Sequence, residues 1–267
     1  MKIEILTIFP DYFLSPLAES LLGKAISAGR LEVIVTDLRA FAEGRHRKVD
    51  DEPYGGGAGM VMMAPVLAAA IEARRGAAGL PRAWTVLLSP DARRLDQGAV
   101  EELAARERIL LVCGRYEGID ERARELGLFD EEISLGDFVL PGGEAAALAV
   151  TEAVSRLVPG VVGSAESVEK ESFARDRLDY PHYTRPREFR GLAVPDPLVS
   201  GDHARILRWR RARGGTSRGS RRRATRPPRV TSSGCRTRCC GASWSAVWRC
   251  ARCVRFASDP ASSRCAC

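Results

Sequence analysis

The chain is 267 residues long, 45% hydrophobic and 28% charged, a balance that excludes a wholly disordered polymer and leaves apolar material for a core. Its net charge of +7 is unevenly placed: residues 213–267 hold 13 of the 41 Lys+Arg and one of the 34 Asp+Glu, so they carry +12 and residues 1–212 carry −5. Seven of the eight cysteines also lie there, between Cys235 and Cys267; residues 1–212 keep Cys113 alone, which excludes a disulfide framework and suits a reducing cytoplasm.

Met1–Lys2–Ile3–Glu4 leads straight into a strand pattern rather than an export signal. No run of about 18 apolar residues follows, so no membrane partner is expected. Ile3–Phe9 (IEILTIF) is β-branched and apolar up to Pro10 and reads as a buried strand. The spacing predicts a helix over 14–28 ending at Gly29, a strand at Leu31–Asp37, and a polar, glycine-rich loop over 44–59. Pro65–Arg75 reads as a helix with Pro in its first turn. Trp84–Ser89 and Arg108–Cys113 read as strands and Asp96–Arg106 as a helix. Ile119–Leu126 reads as helical, Glu132–Leu135 as a short strand and Glu144–Leu157 as a clear helix. Strands alternating with helices predict an α/β parallel sheet covered on both faces. Residues 159–170 look like a linker, 171–201 are polar and proline-rich, and His203–Arg211 resumes a helix.

Three groups of residues carry chemistry. The first is Tyr54–Met60 (YGGGAGM), whose glycines permit close backbone approach. No Lys-Ser/Thr follows Gly59, so this is no P-loop, and glycines alone would equally make a surface turn. The second is the set of loops after predicted strands: Leu88–Pro90, Gly114–Asp120 (GRYEGID) and Leu135–Gly143 (LGDFVLPGG). Ligands bind at the carboxyl ends of parallel strands, and amides, glycines and apolar residues suit an adenine and ribose better than a triphosphate. The third is Arg156 with Glu171, Asp179 and Tyr180–Pro186 (YPHYTRP). A carboxylate beside an arginine supplies a proton acceptor and an oxyanion partner. Flat rings mixed with cations suit RNA, although spacing alone also fits solvated surface charge.

The stretches GRYEGID, ISLGDFVLPGGE, VSRLVPGV, LDYPHYTRP and VSGDHARILRWR occur in this order, and with them residues 1–212 resemble the bacterial tRNA (guanine-N1)-methyltransferases of the SPOUT class. The resemblance implies an α/β parallel sheet with a deep trefoil knot, an exception to the unknotted rule, followed by a small helical C-terminal domain. It implies a knotted S-adenosylmethionine-binding domain over 1–160, a linker over 161–172, and the start of a helical tRNA-binding domain over 173–212. Leu88, Ser89 and Pro90, then Gly114, Tyr116, Glu117 and Gly118, then Leu135, Gly136, Asp137, Phe138, Val139 and Leu140 with Gly142 and Gly143 would line the cofactor site. Tyr54, Gly57, Gly59 and Met60 would close the pocket, and His182, Tyr183 and Arg185 would meet the tRNA anticodon stem-loop. The family is a homodimer whose active sites draw on both chains. Magnesium is implied by resemblance only, and no metal ligand cluster is visible.

On this reading the methyl group goes to N1 of the guanine at tRNA position 37, just 3′ of the anticodon. A carboxylate must take the N1 proton while a guanidinium offsets charge growing at O6. Arg156 matches the family's arginine. Glu171 stands where the family usually has Asp, one methylene longer, and Asp179 is the other candidate base. The competing readings are a non-catalytic RNA-binding protein and a SPOUT-class enzyme acting on another RNA base; YPHYTRP with its neighbouring carboxylate argues against the latter.

Residues 213–267 depart from the family, with no Leu, Ile, Glu or Lys to continue its helices. Two readings stand: a basic, disordered RNA-binding extension, or translation out of frame from a GC-rich gene, which the Arg, Ser, Gly, Ala, Pro and Cys content favours. A zinc site is disfavoured, because the tail has no His and irregular Cys spacing. Lacking the complete C-terminal domain, the chain is expected to bind S-adenosylmethionine better than it methylates tRNA.

Overall fold

The computed structural model describes residues 1–77, 79–162 and 179–214. Five segments build a wholly parallel sheet: β1 (Lys2–Thr7), β2 (Glu32–Asp37), β5 (Trp84–Arg94), β6 (Arg108–Cys113) and β7 (Glu131–Ser134), in the order β2-β1-β6-β5-β7. The short strands β3 (Asp50–Asp51) and β4 (Val61–Met62) pair antiparallel with each other. The helices are α1 (Leu14–Ala18), α2 (Ser20–Ser27), α3 (Ala64–Arg75), α4 (Gln97–Ala104), α5 (Arg122–Glu125) and α6 (Glu144–Ser155).

Every residue of β6 is buried, as the apolar run from Ile109 to Cys113 requires of a central strand. Alternate residues feed opposite faces. Ile3, Ile5, Ile109 and Leu111 pack with Val150 and Val154 of α6 and Val100 and Leu103 of α4. Leu6, Leu110 and Val112 pack with Leu67 and Ile71 of α3. Each such side chain contributes roughly 1.5–3 kcal/mol of burial. At the amino ends of the strands Arg108 donates to Glu4 Oε1 from Nε at 2.8 Å and from Nη2 at 2.6 Å, both residues being buried.

Several predicted elements are redrawn. β1 stops at Thr7, whose Oγ1 accepts the Phe9 N–H at 2.9 Å and turns the chain into a 3₁₀ turn at Pro10–Phe13. The single helix predicted over 14–28 is two. The chain extends at Glu19, and Gly23 packs where a Cβ would stand 2.3 Å from the Ala18 carbonyl oxygen. The predicted loop 44–59 contains β3. β5 runs past Ser89 to Arg94 after a register break in which Leu88 and Arg93 both face Ile133, so the intervening residues bulge out around Pro90, which has no N–H to give the ladder. The predicted helix at Ile119–Leu126 begins only at Arg122, because Ile119 bridges Met62 and the Asp120 N–H bonds the Met62 carbonyl. Asp96 caps α4, its Oδ1 accepting the Ala99 N–H at 3.0 Å.

The last described segment has the two-stranded ribbon β8 (Glu188–Phe189) and β9 (Leu192–Ala193), then α7 (Asp196–Val199) and α8 (His203–Arg213). Asp202 caps α8, accepting the Ala204 and Arg205 N–H groups. Among the described residues no helix is long and apolar enough to cross a membrane.

Candidate functional site

A cavity of about 460 Å³ opens at the carboxyl ends of β5, β6 and β7. Three segments build it: the bulge inside β5 at 88–91 and the loops after β6 and β7. Of the predicted cofactor residues, Leu88, Ser89, Pro90, Gly114, Tyr116, Glu117, Gly118, Leu135, Phe138, Val139, Leu140, Gly142 and Gly143 line it. Two do not: Gly136 lies behind the wall, its N–H bonded to Ser134 Oγ, and the Asp137 carboxylate turns away to pair with Arg94.

Glycines shape the floor. The Gly143 N–H donates to the Gly114 carbonyl at 2.8 Å, and a Cβ there would lie 2.8 Å from the Cys113 Cα. Tyr116 holds a left-handed φ of +61°, a strain of about 1–3 kcal/mol that clusters at ligand sites. Burial and the Asp50 carboxylate push its hydroxyl pKa up. The YGGGAGM loop docks here through backbone: the Glu117 N–H reaches the Met60 carbonyl at 3.0 Å, and the Met62 N–H reaches the Gly118 carbonyl at 3.0 Å. Gly57 and Gly59 take φ of +130° and +86°, while Tyr54 is wholly exposed.

Charged groups that sequence reasoning missed also line the cavity: Asp91, Arg115 and Arg124. The Ser89 hydroxyl donates to Asp91 and, with Arg124, holds that carboxyl below its usual range against slight burial. Arg124 is locked by Glu132 and Glu121, both at 2.8 Å, which raise its pKa further. Arg115 donates from Nε to Glu144 Oε2 at 3.2 Å and stacks over the Phe9 ring at 4.4 Å. The Cys113 thiol is pushed well up by burial and by Glu144, which makes it a packing group rather than a nucleophile. The missed signal lay in GRYEGID itself, whose arginine sits two residues past a strand end.

The predicted polar residues group elsewhere. Arg156 is the C-cap of α6. The Asp179 carboxylate accepts the Tyr180 N–H at 2.8 Å and meets His182 Nε2 at 2.9 Å. Slight burial works to raise its pKa, but the His182 and Tyr180 bonds outweigh it and hold the carboxyl below its usual value. His182, Tyr183 and Arg185 line a second cavity of about 470 Å³ with Tyr180, Arg187 and Arg210. The Tyr180 and Tyr183 rings stand edge-on to Trp209, and the Arg210 guanidinium covers Tyr180 at 4.7 Å. Glu171 lies outside the described residues, as does the chain beyond Gly214. Among the described residues no group of three or more His, Cys, Asp or Glu could hold a metal ion.

Comparison with known proteins bears on this arrangement. The family model described as tRNA (Guanine-1)-methyltransferase TrmD matches residues 1–227. A tRNA (guanine-N(1)-)-methyltransferase of Geotalea uraniireducens is 54% identical over 211 residues, covering 79% of this chain and 84% of the relative. One of Chloroflexus aurantiacus is 56% identical over 212 residues, covering 79% and 83%. The crystal structure of the tRNA (m1G37) methyltransferase from Aquifex aeolicus is similar with a TM-score of 0.65 and 41% identity, over 78% of this chain and 87% of that one.

Proposed function

The chain belongs to the tRNA (guanine-1)-methyltransferase family, and from that membership we propose that it transfers a methyl group from S-adenosylmethionine to N1 of the guanine at position 37 of tRNA. The observation that carries this is the cavity at the ends of β5, β6 and β7. Its volume is that of a small-molecule site, between about 300 and 1,000 Å³. Its wall fits the cofactor: Leu88, Leu135 and Leu140 offer an apolar bed for the adenine. The glycines let the backbone come close to a ligand, and the carboxylates of Asp91 and Glu117 can meet a cation. When bound, S-adenosylmethionine supplies an electrophilic methyl carbon on a sulfonium.

The chain's own residues then have defined tasks. The glycine-rich loop, docked through Met60 and Met62, shields the cavity from water. The Arg156 guanidinium offsets charge growing at O6 of the base. A carboxylate, Glu171 or Asp179, takes the N1 proton. Asp179, held below the usual carboxylate range, is ionised and able to accept it. Tyr180, His182, Tyr183 and Arg185 give rings and charge for a base drawn out of the anticodon loop.

The site is completed by a second copy of the chain. α6 starts at the cavity with Glu144 and reaches Arg156 only after 12 residues, about 18 Å of helix. An arginine that far along the helix is better placed to serve a partner's cavity than its own. The path from β7 at the sheet edge, past the ends of β5 and β6, to α6 against β6 and β1 supports the deep trefoil knot. Residues 173–212, described from 179 onward, open the small helical tRNA-binding domain. The reaction belongs in the cytoplasm, where Cys113 stays reduced. No residues are assigned to magnesium.

The test is methyl transfer to an anticodon stem-loop bearing guanosine at position 37, against the same RNA bearing adenosine there. Product on the first only is expected, and binding of S-adenosylhomocysteine without any transfer to guanosine would overturn it. Comparison of Glu171→Ala with Asp179→Ala assigns the base to whichever variant loses turnover while keeping cofactor affinity.

A further inference from the structure

We infer that Glu144 is a positioning residue: it fixes the Arg115 guanidinium in the cavity wall so that its outer nitrogens meet an oxyanion brought by the substrates. That oxyanion is the carboxylate of the cofactor's amino-acid end or a phosphate of the RNA. The inference rests on the methyl-transfer reading of this cavity.

Glu144 opens α6 and is 2% exposed. Its Oε1 accepts the Thr7 hydroxyl at 2.8 Å, and its Oε2 accepts Arg115 Nε at 3.2 Å. The Thr7 oxygen takes the Phe9 N–H at 2.9 Å, so its own proton is left to point at Glu144. The Phe9 ring then lies against the Arg115 guanidinium at 4.4 Å. The circuit closes on itself and ties the end of β1, the loop after β6 and the start of α6. Gly142 makes room for it, since a Cβ there would stand 2.3 Å from Arg115 Nε and 2.5 Å from Glu144 Oε2.

As mere structure such a circuit is a poor choice. Ions drawn out of water cost free energy that packed apolar side chains of equal volume avoid, and those would hold the three elements as well. What apolar side chains cannot do is present a fixed cation. Of these residues Arg115 and Gly142 line the cavity, and Arg115 is the charged one. Its Nε is taken by Glu144; among the described residues no acceptor stands against Nη1 or Nη2. A guanidinium held at Nε, on a residue that lines the cavity, keeps the fork that pairs with a carboxylate or phosphate. Glu144 removes its rotational freedom before any substrate arrives.

The experiment uses the full chain with Glu144→Gln, which keeps the shape and removes the charge. Three ligands are titrated: S-adenosylhomocysteine, 5′-methylthioadenosine, which lacks the amino-acid end, and an anticodon stem-loop RNA. A carboxylate partner shows as S-adenosylhomocysteine binding weakened by at least about tenfold with methylthioadenosine unchanged; a phosphate partner shows as the same loss on the RNA with both nucleosides unchanged. Either result supports the inference, provided that Glu144→Gln/Arg115→Ala binds no more weakly than Arg115→Ala alone. Should Glu144→Gln not fold, Thr7→Val removes one anchor of Glu144, and a smaller loss on the same ligand is expected. Unchanged binding of all three ligands, or losses that add in the double variant, overturns the inference. A wild-type chain that bound no S-adenosylhomocysteine would overturn the methyl-transfer reading, and this inference with it.

Discussion

A Cβ on Gly59 would lie 2.5 Å from both Cγ and Oε1 of Glu117, so the glycine-rich loop and the loop after β6 meet with no room for a side chain between them. The contact is reinforced next door, where the Glu117 N–H bonds the Met60 carbonyl. Gly59 also holds φ +86°, so Gly59→Ala adds backbone strain to the overlap. The variant is expected to push Glu117 off the cavity wall and weaken S-adenosylhomocysteine binding by about tenfold, some 1.4 kcal/mol. Gly57→Ala is the control: it carries a φ of +130° but meets nothing nearer than Pro53 Cγ at 4.0 Å. Calorimetry should find its cofactor affinity within about twofold of wild type, because its strain stays in the loop. Equal losses in the two variants would assign the effect to loop strain and not to Glu117.

The buried Glu4–Arg108 pair makes the opposite prediction, for stability without function. It sits at the amino ends of β1 and β6, whereas the cavity is at the opposite end of the sheet, past the carboxyl end of β6. Glu4→Ala leaves the Arg108 guanidinium buried without its counter-ion, at a cost of about 3–5 kcal/mol. Thermal unfolding should show the loss as a lowered Tm. Cofactor affinity of the folded fraction, measured well below that Tm, should stay at the wild-type value.

The parts legible in the sequence were those whose cause is local. Arg108–Cys113 was plain because the five-residue apolar run that follows Arg108 fits a doubly covered strand, and the cavity followed because ligands gather at the carboxyl ends of parallel strands. The break at Glu19 was hidden because it depends on how closely Gly23 approaches Ala18. Ile119 was misread because its helical spacing is real but its backbone is taken by Met62. Glu144 escaped notice altogether. Its partners are Arg115, 29 residues away, and Thr7, 137 residues away, a separation no motif spans.

The carboxyl of Asp179 gives a prediction with a definite sign. Slight burial works to raise its pKa, yet the His182 ring and the Tyr180 N–H hold it below the ordinary value. A depressed folded value means stability that is present above the unfolded pKa and lost as pH falls through the folded one. His182→Ala removes the larger of the two lowering interactions. The carboxyl midpoint of Asp179, followed by carbon-13 NMR, is expected to rise toward the ordinary aspartate value in that variant. A midpoint that stayed in place would mean that the Tyr180 N–H and Arg210 set it without the histidine.

Removal of residues 213–267 separates the two halves of the charge distribution. The cavity is lined by residues of the −5 part, and the segment removed carries +12. S-adenosylhomocysteine affinity is therefore expected to stay within about twofold of the full chain, since none of the described residues that line the cavity is lost. RNA affinity should behave differently. Each phosphate contact on a single strand steepens the fall of log K with log salt by about 0.7, so shedding basic residues that touch phosphate must flatten that slope. Binding isotherms for an anticodon stem-loop at several salt concentrations measure it directly. A flatter slope with weaker low-salt binding and unchanged cofactor affinity is the expected pattern. An unchanged slope would show that the arginines beyond residue 212 do not meet RNA, leaving recognition to the rings and cations around Tyr180 and Arg210.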